Sequence, residues 1–301
     1  MVAILFLNHG ELLGEDFKNF KAKYDAKSSD YENNLIALKR ILNENSIRRL
    51  KSNVLELPEK QYDNIFVSIV GKQLELYEQL RKELIIEITN IKGDIVIDES
   101  NSILKKLLRL TQIVSNPYLI DKSYSETPAK FIMLDQILNT IVNNGEKVVI
   151  WTCFVENIIT LKKRYLSYSP LVIYGDVPVK ERSERVFQFQ NSERNKIIIL
   201  NPAAAREGIT LTKANHAIYV DRNFNLVDYL QSQDRIHRIS QEKPCYIYKL
   251  IVQKTIDEYI DLLVDVKSDI ANFIQGDRRE IKKETFSFLT NRSELLRILG
   301  G

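Results

Sequence analysis

At 301 residues, with 44% hydrophobic side chains, the chain can build one large domain or two smaller ones around a real core. Ten glycines and seven prolines exclude a collagen-like or low-complexity chain. Lys and Arg number 43 against 40 Asp and Glu, so the net charge of +3 excludes a uniformly basic surface, and a polyanion would have to meet a local patch.

The opening run MVAILFL is followed at once by Asn8, His9 and Glu11. It is too short for a membrane span or a signal-peptide core, and no membrane association is expected. EDFKNFKAKYDAK and YENNLIALKRILNEN have the charged, amphipathic pattern of helices. The first 45 residues are too few for a domain of their own. In SIRRLKSNVLELPEKQYDNIFVSIV, Pro58 breaks any helix, and Ile65–Val70 reads as a strand. Tyr77, Leu80, Leu84 and Ile88 then recur at helical spacing within Lys72–Asn90. A second helix is expected over Asn101–Val114, ending before SNPYL, where Pro117 disfavours continuation. Between these two helices, IVIDES (95–100) imitates a magnesium-binding strand end. No phosphate loop precedes it and no parallel-sheet pattern surrounds it, so it reads as a helix start. Asp98 or Ser100 would cap, and Asp98 and Glu99 would favour the positive helix end.

From about Pro128 the pattern becomes a regular alternation. AKFIMLDQILNTIV, VENIITLKKRYL, VKERSERVFQFQ and LVDYLQSQDRIHR read as helices. KVVIW (147–151), LVIY (171–174), KIIIL (196–200), HAIYV (216–220) and CYIYKLI (245–251) read as strands. Short apolar runs separated by amphipathic helices predict an α/β fold, a parallel sheet with helices on both faces. TIDEYIDLLVDVKSDIANFI is one long helix with Gly276 as its C-terminal cap; the charged link DRREIKKE leads to a short closing helix. Cys153 and Cys245 lie in apolar runs and read as buried, reduced thiols. His9, His216 and His237 show no metal-ligand spacing, so no metal site is expected.

QSQDRIHRISQ (231–241) carries the strongest chemical signal. If helical, it places Gln231, Arg235 and Arg238 at i, i+4 and i+7, on one face that could reach a triphosphate. Yet G-x-x-x-x-G-K-[ST] occurs nowhere in the 301 residues. Ligands of an open parallel sheet bind beyond the carboxyl ends of its strands. The loops after 151, 174, 200 and 220 all leave such ends, and the arginines follow the fourth.

QSQDRIHRISQEKPCYIYKLI resembles the last motif of the Swi/Snf-type ATPases of helicase superfamily two. KVVIWTCF, YGDVPVKERSERVFQFQ and REGITLTKA resemble the preceding motifs in the family order. SIRRLKSNVLELPEK and LLRLTQIVSNPYLI are similar to the segment between its two RecA-like lobes, and TIDEYI with the following helix to a brace that packs back across both. The resemblance implies four parts. Residues 1–45 would be the end of a first RecA-like lobe, 46–127 the inter-lobe connector with a helical insertion, 128–252 the second lobe, and 253–301 the brace helix and tail.

ATP and magnesium would then be held mainly by the first lobe, with its phosphate loop and acids, and the second lobe would supply arginines. Arg235 and Arg238 are implied as catalytic, with Gln231, Gly208 and Glu207 on the nucleotide. Thr152, Cys153, Gly175, Asn201 and Arg206 are implied as contacts to double-stranded DNA. The chain departs from the family where Asn201, Pro202 and Ala203 replace a hydroxyl and a lysine, and where Ala205 and Arg206 replace paired glycines. Glycine permits close backbone approach, so Arg206 would have to substitute a side-chain contact. The expected partners are DNA and a first lobe, in the cytoplasm or in a eukaryotic nucleus. SNPYL and the brace-like helix argue against an RNA helicase lobe. A free-standing nucleic-acid or protein-binding module without ATPase activity is the alternative.

Overall fold

The computed structural model describes residues 16–25, 28, 30–47, 49, 55–90, 101–206, 208–278, 280 and 292–300. IVIDES therefore lies outside the described residues, as does the opening apolar run. Two helices come first, α1 (Phe17–Lys23), capped by Asp16 accepting from the Asn19 amide at 2.8 Å, and α2 (Tyr31–Asn45). The strand β1 (Lys60–Val67) precedes α3 (Gly71–Asn90) and α4 (Asn101–Ser115). The alternating part runs α5 (Ala129–Asn143), β2 (Val148–Trp151), α6 (Val155–Arg164), β3 (Leu171–Ile173), α7 (Val179–Asn191), β4 (Ile197–Leu200), β5 (His216–Tyr219), α8 (Leu226–Gln233) and β6 (Cys245–Val252). The helices α9 (Ile256–Ile274) and α10 (Arg292–Leu299) close the chain.

Among the described residues six strands form one all-parallel sheet, in the order β1-β6-β5-β2-β4-β3. The central strands β2, β4 and β5 are buried at every position, as expected of a sheet covered on both faces. Alternation along each strand divides the core. Val148, Ile150, Ile197 and Ile199 meet Leu134 and Leu138 of α5 and Leu161 of α6. Val149, Trp151, Ile198 and Leu200 face the opposite way, into a core shared with Phe189 of α7, Tyr229 of α8 and Ile260 of α9. Leu84 of α3 and Leu107 of α4 join that second core, which explains why helices outside the alternating part belong to the same body.

Two elements differ from the sequence reading. The strand expected at Ile65–Val70 runs instead from Lys60 to Val67, paired in parallel register from Lys60↔Cys245 to Val67↔Val252. Gln61 to Asn64 are polar and exposed, so the apolar-run signal begins only in the strand's last third. An edge strand tolerates this, because one flank and much of its surface face solvent. The second difference is α8, which ends at Gln233 rather than continuing through Arg238.

The long helix α9 is fixed at both ends. Thr255 caps it, accepting from the Asp257 amide at 3.2 Å, and the Tyr77 hydroxyl accepts from the Ile256 amide at 2.9 Å. Buried Lys130 of α5 pairs with Asp257 at 2.6 Å and donates to the Val220 carbonyl at 2.8 Å. At the far end Gly276 adopts φ +85° and its amide bonds the Phe273 carbonyl, the C-terminal cap read from the sequence. Leu35 of α2 packs on Ile270 and Phe273 there, and the Lys39 ammonium sits 4.2 Å from the Phe273 ring centre.

Candidate functional site

A parallel sheet sends the carboxyl ends of all its strands to one edge. Four loops leave there: Thr152–Phe154 after β2, Tyr174–Val177 after β3, Asn201–Arg206 after β4 and Val220–Asn225 after β5. The first loop turns inward. Thr152 is buried, and its hydroxyl donates to Oδ2 of Asp221 at 2.7 Å. The Cys153 amide donates to Oδ1 of the same carboxylate at 2.6 Å. The Thr152 hydroxyl, expected to meet a DNA phosphate, is thus committed inside the protein, because β2 and β5 are neighbours and Asp221 emerges beside it. Burial, and next the Asp221 charge, push the Cys153 thiol well above its ordinary value and keep it protonated.

Asn201 ties the third loop to the first. Its Nδ2 donates to the Cys153 carbonyl at 2.8 Å and its Oδ1 accepts from the Ala203 amide at 2.9 Å. Gly175 is exposed at the second loop, where its carbonyl accepts from Arg182 at 2.9 Å. Arg206 ends the short helical turn Pro202–Arg206; its side chain and Glu207 lie outside the described residues.

The arginines are brought together, although not by a helix. After Gln233 the Arg235 and Ile236 amides take carbonyls three residues back, Ser232 and Gln233, each at 3.2 Å. The Arg235 carbonyl accepts from the Leu211 amide at 2.8 Å, which ties the turn to the loop ahead of β5. This turn still places Gln231, Arg235 and Arg238 on the wall of one open cleft of about 610 Å³, with Thr210 and the apolar Leu55 and Leu57. Arg238 donates from Nε to the Asp234 carbonyl at 2.9 Å and from Nη1 to Thr210 Oγ1 at 2.8 Å and the Gly208 carbonyl at 3.2 Å. Arg235 is buried; burial, then the neighbouring Arg238 charge, holds its guanidinium below the ordinary value. Two adjacent cations invite a polyanionic ligand. Among the described residues the one carboxylate on this wall, Asp234, is paired with Lys60 at 3.4 Å. The cleft thus fits phosphate oxygens, and among the described residues its wall offers no pair of acids for magnesium.

Sequence reasoning missed several contributors. Gln241 is buried, and its Nε2 lies 2.9 Å from both the Ile236 and Ala214 carbonyls and 3.2 Å from that of Thr212, locking the arginine turn to the 208–214 loop. The edge strand holds the same turn through Tyr62 donating to Gln233 (2.8 Å), and the segment just before it does so through His237 bonded to the Pro58 carbonyl (2.7 Å). Asp221 was missed altogether; the only hint was an acid directly after an apolar strand. At the opposite edge of the sheet a cavity of about 350 Å³ lies beside Glu146, His216, Lys243, Tyr246 and Tyr248. Among the described residues no group of three His, Cys, Asp or Glu side chains comes together as a metal site, and no helix is long and apolar enough to cross a membrane.

The architecture and the arginine cleft define a RecA-like α/β lobe of the helicase type. The helicase conserved C-terminal domain matches residues 129–240, and the SNF2-related domain matches residues 2–119. The chain belongs to the Swi/Snf-type family of helicase-like ATPases. It is 31% identical over 236 residues to the putative ATP-dependent helicase/translocase YwqA of Bacillus subtilis, covering 74% of this chain and 25% of that protein. It is 26% identical over 284 residues to the human SWI/SNF-related matrix-associated actin-dependent regulator of chromatin subfamily A member 1, covering 89% of this chain and 27% of that protein. Among solved structures it is similar to the Sulfolobus solfataricus SWI2/SNF2 ATPase core in complex with dsDNA, with 29% identity and a TM-score of 0.63, covering 98% of this chain and 62% of that one. The C-terminal domain of a Sulfolobus solfataricus SWI2/SNF2 ATPase matches with 26% identity and a TM-score of 0.60, covering 80% of this chain and 98% of that one. The chain thus spans about a quarter of the length of these two curated relatives.

Proposed function

We propose that this chain is the second lobe, with its connector, of an ATP-dependent double-stranded DNA translocase. Its arginines would act on a triphosphate held by a first RecA-like lobe, in the same protein or in a separate chain. The observation that carries this reading is the cleft: two arginines and Gln231 share its wall, while the 301 residues contain no phosphate loop.

ATP with magnesium supplies the phosphoryl group and the charge that develops on it. Arg238 offers a planar fork of donors for that charge. Its Nε and Nη1 bonds to Asp234, Thr210 and Gly208 fix the guanidinium plane before any ligand arrives. Orientation fixed in advance lowers the cost of meeting the transition state. A finger of this kind is worth on the order of 10³–10⁵ in rate. Arg235 adds a second positive charge, and Gln231 an amide that can orient the phosphates. Because arginines and phosphate loop would lie on different lobes, nucleotide draws the lobes together and hydrolysis lets them part. The loops at the strand ends would follow one DNA strand through its phosphates, which positions without reading sequence. Gly175, Asn201, Arg206 and the Cys153 segment are the candidates for that contact, with Thr152 holding the loop from within.

Phosphate release tests the reading, measured with duplex DNA for the chain alone and for the chain supplied with a first lobe by fusion or in trans. The chain alone stays at background, and the completed pair turns over ATP. Turnover by the chain alone would refute the single-lobe reading, and no turnover by the completed pair would favour a binding module.

A further inference from the structure

The strand-end loops enclose a carboxylate that is 2% exposed, and no ion pair among the described residues involves it. Oδ2 of Asp221 accepts from Thr152 Oγ1 (2.7 Å), Ser115 Oγ (2.7 Å) and Asn157 Nδ2 (3.3 Å), and Oδ1 accepts from the Cys153 amide (2.6 Å). Burying a charge is costly unless hydrogen bonds satisfy it, and here the donors are all neutral. They come from three separate places: the end of α4, the loop after β2, and α6. A second tier secures them. Asn157 Nδ2 lies 2.8 Å from Ser115 Oγ, Asn157 Oδ1 accepts from Asn116 (2.9 Å), and Asn116 Oδ1 accepts from the Tyr118 amide (3.1 Å). The chain of bonds continues outward, because the Cys153 carbonyl accepts from Asn201, whose Oδ1 holds the Ala203 amide.

We infer that Asp221 is a positioning residue for the nucleic-acid face: it gathers Thr152 and Cys153 and, through the Cys153 carbonyl, sets Asn201 and Ala203 of the neighbouring loop. The inference rests on reading this edge as the DNA face. It has a consequence that charge alone reverses. Removing a negative charge from a DNA-binding surface strengthens binding by simple electrostatics. If Asp221 orders the loops, its loss weakens binding instead, because an asparagine has one acceptor oxygen where the carboxylate has two, and its NH2 group would face the Cys153 amide or Asn157 Nδ2, neither of which can accept.

The test is a titration of a short duplex with the 301-residue chain and its Asp221→Asn variant at several salt concentrations, together with amide exchange. The variant binds about tenfold more weakly, and its plot of log affinity against log salt is shallower by roughly one phosphate contact. The Cys153 amide exchanges faster in the variant while the Ile150 and Ile199 amides keep their protection. Equal or tighter binding overturns the inference. So does weaker binding with an unchanged slope, which marks a loss of folded protein only. Should Asp221→Asn not fold, Ser115→Ala removes one donor and keeps the carboxylate. It should then show a smaller loss and a shallower slope, and unchanged binding overturns the inference. If the wild-type chain shows no salt-dependent binding, the DNA-face reading falls and takes this inference with it; if only the variants fail to respond, this inference falls alone.

Discussion

Gly208 shows how one residue's backbone conformation reaches the candidate chemistry. Its φ of +72° lies in the left-handed region, and nothing stands within 4 Å of an added Cβ, so the cost of a side chain there is conformational rather than steric. Its carbonyl also accepts from Arg238. Gly208→Ala should lower stability by about 1 kcal/mol in a denaturant titration. A loss near zero would mean that the loop relaxes to a negative φ. At this scale the sequence was legible where a residue's chemistry is rare in its setting. Two arginines three apart behind a glutamine were found on sight, and the cleft brings them together. Asp221 and Gln241 were not legible, because a carboxylate or an amide becomes a hub only through partners dozens of residues away. Nothing local distinguishes a buried hub from a solvated side chain.

Among the elements, the strands and helices from α5 to β6 fell close to where periodicity put them, because strands buried on both faces have unbroken apolar runs. The edge strand β1 was displaced by its polar first half, and α8 gave way after Gln233 to a turn held by Leu211 and Pro58 from elsewhere in the chain. Both errors arise from tertiary contacts that local propensity does not contain. The junction between α5 and α9 carries a stability prediction. Lys130 and Asp257 are both buried, so Lys130→Met would strand a charge, and it should cost about 3–5 kcal/mol in a urea titration. A loss below about 1 kcal/mol would show that water reaches Asp257.

The opposite edge of the sheet carries a pH prediction. Burial outweighs the attraction of Glu146 and holds the His216 imidazole below its ordinary value of 6.5. A group depressed in the folded state contributes stability above its unfolded value and loses it as pH falls through and below that value. Stability should therefore drop as the pH falls below 6.5, and His216→Gln should flatten that part of the profile. Urea midpoints at about pH 7.5 and pH 5.5 for both proteins decide it, and parallel profiles would contradict the assignment.

At the scale of the whole molecule, the sheet draws its edge strand from a segment read as connector, and α2 packs on the long helix α9 near the other end of the chain. The arginine turn sits near the start of the sheet, against Pro58 and Lys60 at the beginning of β1 and Leu211 ahead of β5, while the candidate DNA loops leave the carboxyl ends of β2 to β5. If the proposed contacts go to phosphates, binding to duplex DNA by the chain should be insensitive to sequence and should fall steeply with salt. Two unrelated duplexes titrated at two salt concentrations test that, and a clear sequence preference would favour a binding module over a translocase lobe.

The central claim is that Arg238 meets the transition state of a nucleotide held elsewhere. Its most direct test is steady-state ATP hydrolysis, with duplex DNA, by the protein completed with a first lobe, comparing wild type with Arg238→Lys. Lysine keeps the charge and loses the fork, so turnover should fall by at least about a hundredfold while ATP affinity changes little. Arg185→Lys serves as the control; Arg185 is bonded to the Val172 carbonyl and to Glu181 within its own lobe, and its replacement should leave turnover near normal. Near-normal turnover in Arg238→Lys, or a defect confined to ATP affinity, would contradict the account.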